Sequence, residues 1–359
     1  MIKAKDYILG IEPYKPGKSK TGNERKVIKL SSNENALGAS GKAIKAFEES
    51  SPELFRYPDG GCILLREAIA KKYQIETDNI VCGAGSDEII ALLIHAFCGE
   101  GDEVLYSEYG FLMYPISAKR VGATPITAKE VNLKANVDNI LAKVSQKTKM
   151  IFIANPNNPT GSYLSASEIE RLIQNISRDI ILVLDLAYAE FVSEADYADV
   201  IQLVKKYDNL VMTRTFSKIH GLASLRLGWS YSSAYIADVL NRARGPFNVS
   251  AAAQKAGIAA INDDEFVKKS KEHNDKWLKI LAEKFDEIGL KHYPSIANFI
   301  LIDFLSEEKC QEANQFLTEN GIILRDMKAY NLPSCLRMTV GREEENLLVV
   351  NLLTDFLQK

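Results

Sequence analysis

The 359-residue sequence predicts an α/β protein: a large domain with a mostly parallel sheet between helices, and a smaller α+β domain. Three observations predict it. Short β-branched runs, apolar on both faces, alternate with longer helical patterns up to about residue 245. Small and polar residues gather just past the ends of those runs. After Pro246 the texture changes to a long polar-amphipathic stretch followed by short mixed elements.

Taken in order, residues 1–30 carry no strong pattern and are expected to form an arm that packs on the smaller unit. The large domain is expected over 31–245 and the small domain over 246–359. NIVCGAG (79–85) reads as a strand running into a glycine turn, and SDEIIALLIHAF (86–97) as an amphipathic helix. EVLYS (103–107), KMIFIAN (149–155), DIILVLD (179–185), NLVMTRT (209–215) and RLGWSYS (226–232) follow as strands buried between helix layers. In the second unit a helical stretch over about 251–288 precedes NFILIDF, a helix near 307–319, GIILRD, CLRMTV and a last helix from Glu343.

Composition bounds the function. Hydrophobic residues make up 46% and charged residues 25%, the mix of a globular protein large enough to bury a core without disulfides. A net charge of −3 supplies no basic field for nucleic acid or an anionic membrane. The opening MIKAKDYILG has no apolar core or cleavage site, so no export signal is expected, and no run approaches the roughly 20 apolar residues of a membrane span. Cys62, Cys82, Cys98, Cys310 and Cys335 form no CxxC pair, which points to free thiols in a reducing cytoplasm. His273 and His292 lack metal-ligand spacing, and no metal is expected.

In open α/β sheets, ligands bind beyond the carboxyl ends of the strands. Four motifs fall there. In TFSK (215–218), a lysine just past a buried strand is desolvated, which makes its amine nucleophilic and suited to Schiff bases. Thr215, Ser217 and Arg226 can bind an anion beside Lys218, Arg226 with a planar fork. The plainer alternative is a lysine and an arginine on a polar loop. GAGSDE (83–88) offers free N–H groups at a helix start, although Ser86 as a simple cap reads equally well. Glu88 stands where a dinucleotide fingerprint needs its third glycine. Asp185 closes an apolar strand, and a buried aspartate needs a partner such as a protonated ring nitrogen. Tyr188 follows one turn later; the alternative is a capping aspartate with a core tyrosine. Asn158 sits in NPNNPTG (155–161), a turn rich in proline and asparagine. His95 reads as core, and His220 as a candidate lining residue.

The order GAGSDE, NPNNPTG, DLAY, TFSK, RLG and LRMTVG resembles the fold type I pyridoxal-phosphate (PLP) aminotransferases, from about residue 27 to the end. That resemblance implies PLP carried on Lys218, with Asp185 opposite the ring nitrogen and Asn158 and Tyr188 on the ring oxygen. It implies Gly85, Ser86, Thr215, Ser217 and Arg226 around the cofactor phosphate, and Arg337 on the substrate α-carboxylate. An aromatic residue stacks on the ring; Tyr109 and Phe111 are the candidates, and Phe111 is favoured by its distance from Tyr114.

Four segments further resemble the histidinol-phosphate branch of that family: EPYKPG (12–17), LSSNEN (30–35), RYPD (56–59) and NLPSCLRMTVGR (331–342). They imply Tyr14 and Asn35 at the substrate. They also imply Tyr57 on the partner subunit's cofactor phosphate, hence a homodimer. The implied reaction moves an amino group from L-histidinol phosphate to 2-oxoglutarate, giving imidazole acetol phosphate and glutamate, as in histidine biosynthesis. Arg342 is a candidate second cation for the substrate phosphate, or else simply begins the last helix. Ala329 stands where the family commonly has glycine. Rival readings are an aromatic aminotransferase, a PLP-dependent decarboxylase of a phosphorylated amino acid, and a cofactor-binding regulator. The last is disfavoured because no spare segment or basic patch is present to hold DNA.

Overall fold

The structure, a computed structural model, describes residues 2–13 and 27–358. Its large sheet has seven strands: β1 (Ile80–Gly83), β2 (Glu103–Ser107), β3 (Thr124–Ala128), β4 (Thr148–Ala154), β5 (Ile181–Asp185), β6 (Leu210–Thr215) and β7 (Gly228–Tyr231). Their order is β1-β7-β6-β5-β4-β2-β3. The pairs β2–β3, β2–β4, β4–β5 and β5–β6 are parallel, as crossover helices demand. By contrast, β7 runs antiparallel to both neighbours, β6 and β1.

That reversal follows from chain length. Between Thr215 and Gly228 the chain has only a loop and one short 3-10 turn, too little for a crossover helix. The loop therefore turns back at the carboxyl end of β6, carrying Lys218 and Arg226 together. The strand β3, TPITA, was not expected from sequence: a proline and two polar side chains interrupt its apolar pattern. It lies at the sheet edge, where proline forfeits no ladder bond that matters.

The helical stretch expected over about 251–288 is two helices, Ala251–Ile261 and Asp264–Glu287, separated at Asn262 and Asp263. The first buries Ala253, Ala256 and Ala260 in the core that also holds Leu65, Ile69 and Leu227. The second buries Trp277, Leu281 and Phe285 with Leu336, Met338 and Val349 in a separate core. The change of texture at Pro246 thus precedes the change of core by one helix.

The second unit holds an antiparallel sheet of β8 (Lys291–Tyr293), β9 (Phe299–Asp303), β10 (Arg325–Asp326) and β11 (Cys335–Thr339), in the order β10-β11-β9-β8. Ile28–Lys29 pairs in parallel with Ile322–Ile323, and Leu30 is buried in this second core. From there the chain runs through Ser31–Asn35 between the two units. Among the described residues no helix is long and apolar enough to cross a membrane, and no His, Cys, Asp and Glu cluster is arranged to hold a metal ion. All five cysteines are free.

Candidate active site

A cavity of about 280 Å³ opens at the carboxyl ends of β4, β5 and β6, between the two units. One end is built to hold an anion. Ser86, Thr215, Ser217 and Arg226 all line it. The helix Ser86–Phe97 is capped by Gly85 with no side-chain cap, so the Ser86 hydroxyl is not spent on capping. Gly85 has φ +89, and a Cβ there would strike Arg226 Nη2. A Cβ on Gly228 would strike Ser86 N and lie 2.6 Å from the Gly85 carbonyl carbon. Two glycines therefore let β7, the helix N-terminus and the Arg226 guanidinium converge. Arg226 Nη1 donates to Ala223 O at 3.1 Å, and Ser217 N donates to Thr215 Oγ1 at 3.1 Å.

The middle of the cavity holds a buried carboxylate. Asp185 ends β5; its Oδ2 accepts from Tyr114 Oη at 2.8 Å and its Oδ1 from Thr213 Oγ1 at 3.1 Å. Burial raises its pKa, and the two hydroxyl donors oppose that rise. Asp185 makes no salt bridge among the described residues. It caps no helix, since the residues after it form only a short 3-10 turn.

Opposite lies the lysine. Lys218 Nζ donates to Ser32 O at 3.0 Å and stands 5.7 Å from the centre of the Tyr188 ring. Burial lowers its pKa to about 7, with the Arg337 guanidinium adding to the effect and Glu34 opposing it. Tyr188 Oη accepts from Asn33 Nδ2 at 2.9 Å, and burial lifts its pKa to about 12, so it stays a hydrogen-bond donor.

The far end is cationic. Arg337 is buried on β11; its Nη1 donates to Asn158 Oδ1 and its Nη2 to Ser31 O at 3.0 Å. Arg325 is its register partner on β10, which puts both side chains on one face of that sheet, and both line the cavity. Sequence reading did not single out Arg325. Its signal was available only once β10 and β11 were paired.

Ten of the predicted residues meet in this cavity: Ser86, Phe111, Asn158, Asp185, Tyr188, Thr215, Ser217, Lys218, Arg226 and Arg337. Tyr109 does not line it: its N–H donates to Glu130 at 3.2 Å and its carbonyl accepts from Asn157. Asn35 does not line it either. Its Nδ2 donates to Ile219 O at 2.6 Å and Ser270 Oγ at 3.1 Å, tying down the residue after the lysine. Asn33, two residues earlier, lines the cavity in its place.

Arg342 does not line the cavity. It is exposed just before the helix Glu343–Leu357, its Nε donating to Ala36 O at 3.1 Å and its backbone N–H to Glu345 Oε2 at 2.8 Å, which places it at the start of the last helix rather than beside Arg337. Tyr57 is 83% exposed and stacks on Phe247 at 4.7 Å, outside this chain's own cavity. His220 is buried against Phe216 and does not line the cavity. Tyr14 lies outside the described residues. Tyr330 also lines the cavity, and Tyr114 and Thr213 reach it through Asp185; sequence reading singled out none of these three as a site residue.

Chemically, the cavity can hold an anion at one end, oppose a ring cation to Asp185, and present a neutral amine near pH 7 to a carbonyl carbon. Those are the needs of the phosphorylated pyridine aldehyde that the sequence resemblance implies, and this donor set fits it.

The comparisons agree in kind. The family model for class I and II aminotransferases matches residues 25–351. The chain is 51% identical to the histidinol-phosphate aminotransferase of Paramagnetospirillum magneticum, over 98% of this chain and 97% of that one. It is 48% identical to the protein of the same name from Maricaulis maris, over 98% of each. In fold it is similar to the crystal structure of the Sinorhizobium meliloti histidinol-phosphate aminotransferase in complex with pyridoxal-5'-phosphate. That likeness has a TM-score of 0.88 at 24% identity, over 93% of this chain and 92% of that one. It is similar also to the aspartate aminotransferase of Thermus thermophilus with maleate, with a TM-score of 0.86 at 17% identity, over 99% and 100%.

Proposed function

The chain belongs to the class I and II aminotransferases, and from that premise we propose that it transfers the amino group of L-histidinol phosphate to 2-oxoglutarate, on pyridoxal phosphate carried by Lys218. The products are imidazole acetol phosphate and glutamate, the setting the cytoplasm. One observation carries the reading: a cavity that joins an amine titrating near pH 7 to two arginines on one sheet face.

Bound pyridoxal phosphate supplies an aldehyde for Lys218 and a ring that withdraws electrons from the substrate carbon. The remaining work falls to the chain. Gly85, Ser86, Thr215, Ser217 and Arg226 would hold the cofactor phosphate, with the helix N-terminus adding its dipole. Asp185 would sustain a positive ring nitrogen; Asn158 and Tyr188 would bind the ring oxygen, and Phe111 would cover one ring face. Once the donor amine takes its place, Lys218 is free to remove the proton from the carbon bearing that amine and to return it as an acid. A pKa near 7 suits both directions, since neither form of the amine is scarce near neutrality.

Arg337 and Arg325 account for the two substrates. A phosphate monoester carries about −1.5 to −2 at neutral pH and calls for more than one cation. The same pair can bind the carboxylates of 2-oxoglutarate, which present similar oxygens to a planar fork. Arg325 takes the part first considered for Arg342.

Leu54, Phe55 and Leu64 flank RYPD and are exposed, as is its Tyr57. Four large apolar side chains exposed within eleven residues of sequence are characteristic of an interface, and they support a homodimer in which Tyr57 reaches the partner subunit's cofactor phosphate.

The test is a steady-state assay of the holoenzyme with histidinol phosphate, phenylalanine and threonine phosphate, each with and without 2-oxoglutarate. Glutamate should form chiefly from histidinol phosphate and only with the oxo acid. Better turnover of phenylalanine would move the assignment to an aromatic aminotransferase. Release of carbon dioxide from threonine phosphate would move it to a decarboxylase.

A further inference from the structure

Tyr114 has no place in the mechanism so far, yet its side chain is wholly buried and its one polar atom is spent on the carboxylate at the centre of the cavity. The phenol donates to Asp185 Oδ2 at 2.8 Å, while Thr213 donates to Oδ1 at 3.1 Å from the neighbouring strand β6. The two donors thus take one oxygen each. Tyr114 is itself held from three sides: stacked on Phe152 at 4.6 Å and 17°, edge-on to Phe111 at 5.8 Å, and edge-on to Tyr106 at 6.3 Å. A phenol so clamped has little rotational freedom, so its hydrogen bond fixes the carboxylate plane.

We propose that Tyr114, assisted by Thr213, is the positioning residue that keeps Asp185 ionised and oriented toward the ring nitrogen, an inference that rests on the function proposed above. The physical reason is a contest. Burial favours the neutral carboxylic acid, and Asp87 at the start of the neighbouring helix repels a second negative charge. Tyr188 and Tyr197 also face the group, both with pKa values raised by burial, and neither contributes a cation. The hydroxyl donors bind the ionised form more strongly than the neutral acid, so they lower the affinity of Asp185 for a proton. In a hydrogen bond between Asp185 and a ring nitrogen, that keeps the proton on nitrogen. The clamp around Tyr114 further implies that Phe111, the ring-covering residue, and Asp185 are held in register by one side chain.

The experiment uses holoenzyme reconstituted with pyridoxal phosphate labelled with ¹⁵N in the ring, and follows the nitrogen resonance from pH 6 to 9. The parent should keep the protonated shift throughout. In Tyr114→Phe, which retains the stack on Phe152, the nitrogen should lose its proton within that range. One lost charge-assisted hydrogen bond corresponds to a shift of about one to two pH units. Thr213→Val should move the same way by less, and it serves as the second variant should Tyr114→Phe fold poorly. The kcat of each should fall while KM for histidinol phosphate stays within about three-fold, as expected for a group that never touches substrate. A nitrogen resonance unchanged in both variants, while Asp185→Asn moves it, would overturn the proposal. A parent resonance already unprotonated at pH 6 would instead overturn the role given to Asp185, and this inference with it.

Discussion

Burial lowers the pKa of Lys218 to about 7, and the role proposed for it therefore has a testable sign. Its folded pKa lies below that of a free lysine, so the neutral, nucleophilic form is fully present above pH 7 and is lost as pH falls through 7. Attachment of pyridoxal phosphate to the apoprotein, followed by absorbance, should therefore rise to a plateau with its midpoint near pH 7. A rate still climbing above pH 9 would mean an ordinary lysine. The arginines give a second test at this scale. Arg325→Ala should raise KM for histidinol phosphate by roughly ten-fold or more, the worth of a hydrogen bond to a charged group. Arg342→Ala should leave KM nearly unchanged, since its side chain is exposed outside the cavity and donates to Ala36 O. A ten-fold rise in both would return Arg342 to the substrate, and no rise in either would remove Arg325 from it. The contrast also marks what sequence could reveal. Lys218, Asp185 and Arg226 stand in motifs whose spacing is local. Arg325 reaches the site only through strand pairing with Arg337, and Tyr114 only through packing on β4, neither of which leaves a local trace.

At the scale of elements, the carboxyl edge of the sheet makes the site, and the antiparallel β7 decides its shape. The expected strands were legible because each is a short apolar run closed by a polar or glycine-bearing motif, and the helix Ser86–Phe97 is bounded by the glycine turn expected before it. Orientation was not legible: nothing in RLGWSYS distinguishes an antiparallel strand from a parallel one, and only the short connection from Thr215 does. The break at Asn262–Asp263 was hidden because no glycine or proline separates the two helices. The close approach of β7 to the glycine turn at Gly85 and Ser86 yields a prediction. Gly228→Ala places a methyl group against Ser86 N and 2.9 Å from Arg214 O, all backbone that cannot turn aside. It should destabilise the fold by about 1–3 kcal/mol in urea unfolding, the range for overpacking, and weaken cofactor retention. Gly99→Ala, with nothing within 4 Å, should behave as the parent does. Equal stability of the two variants would show that β7 does not press on that turn.

At the scale of the whole molecule, two units with separate cores share one cavity, and Arg337 spans them by holding both Asn158 and Ser31. Tyr57 lies outside that cavity in its own chain, and the proposed homodimer would bring it to the site of a second copy. Inactive Lys218→Ala and impaired Tyr57→Phe chains, mixed under subunit exchange, should form hybrids with one site intact in both residues and regain activity. No recovery after confirmed exchange would place Tyr57 outside the site. A single half-reaction tests most directly whether this molecule moves an amino group from histidinol phosphate by way of Lys218. Holoenzyme mixed with histidinol phosphate, without an oxo acid, should release imidazole acetol phosphate once per subunit and stop, resuming only when 2-oxoglutarate is added, while Lys218→Ala releases none. Stoichiometric ketone from phenylalanine and none from histidinol phosphate, or equal release by the Lys218→Ala protein, would contradict it.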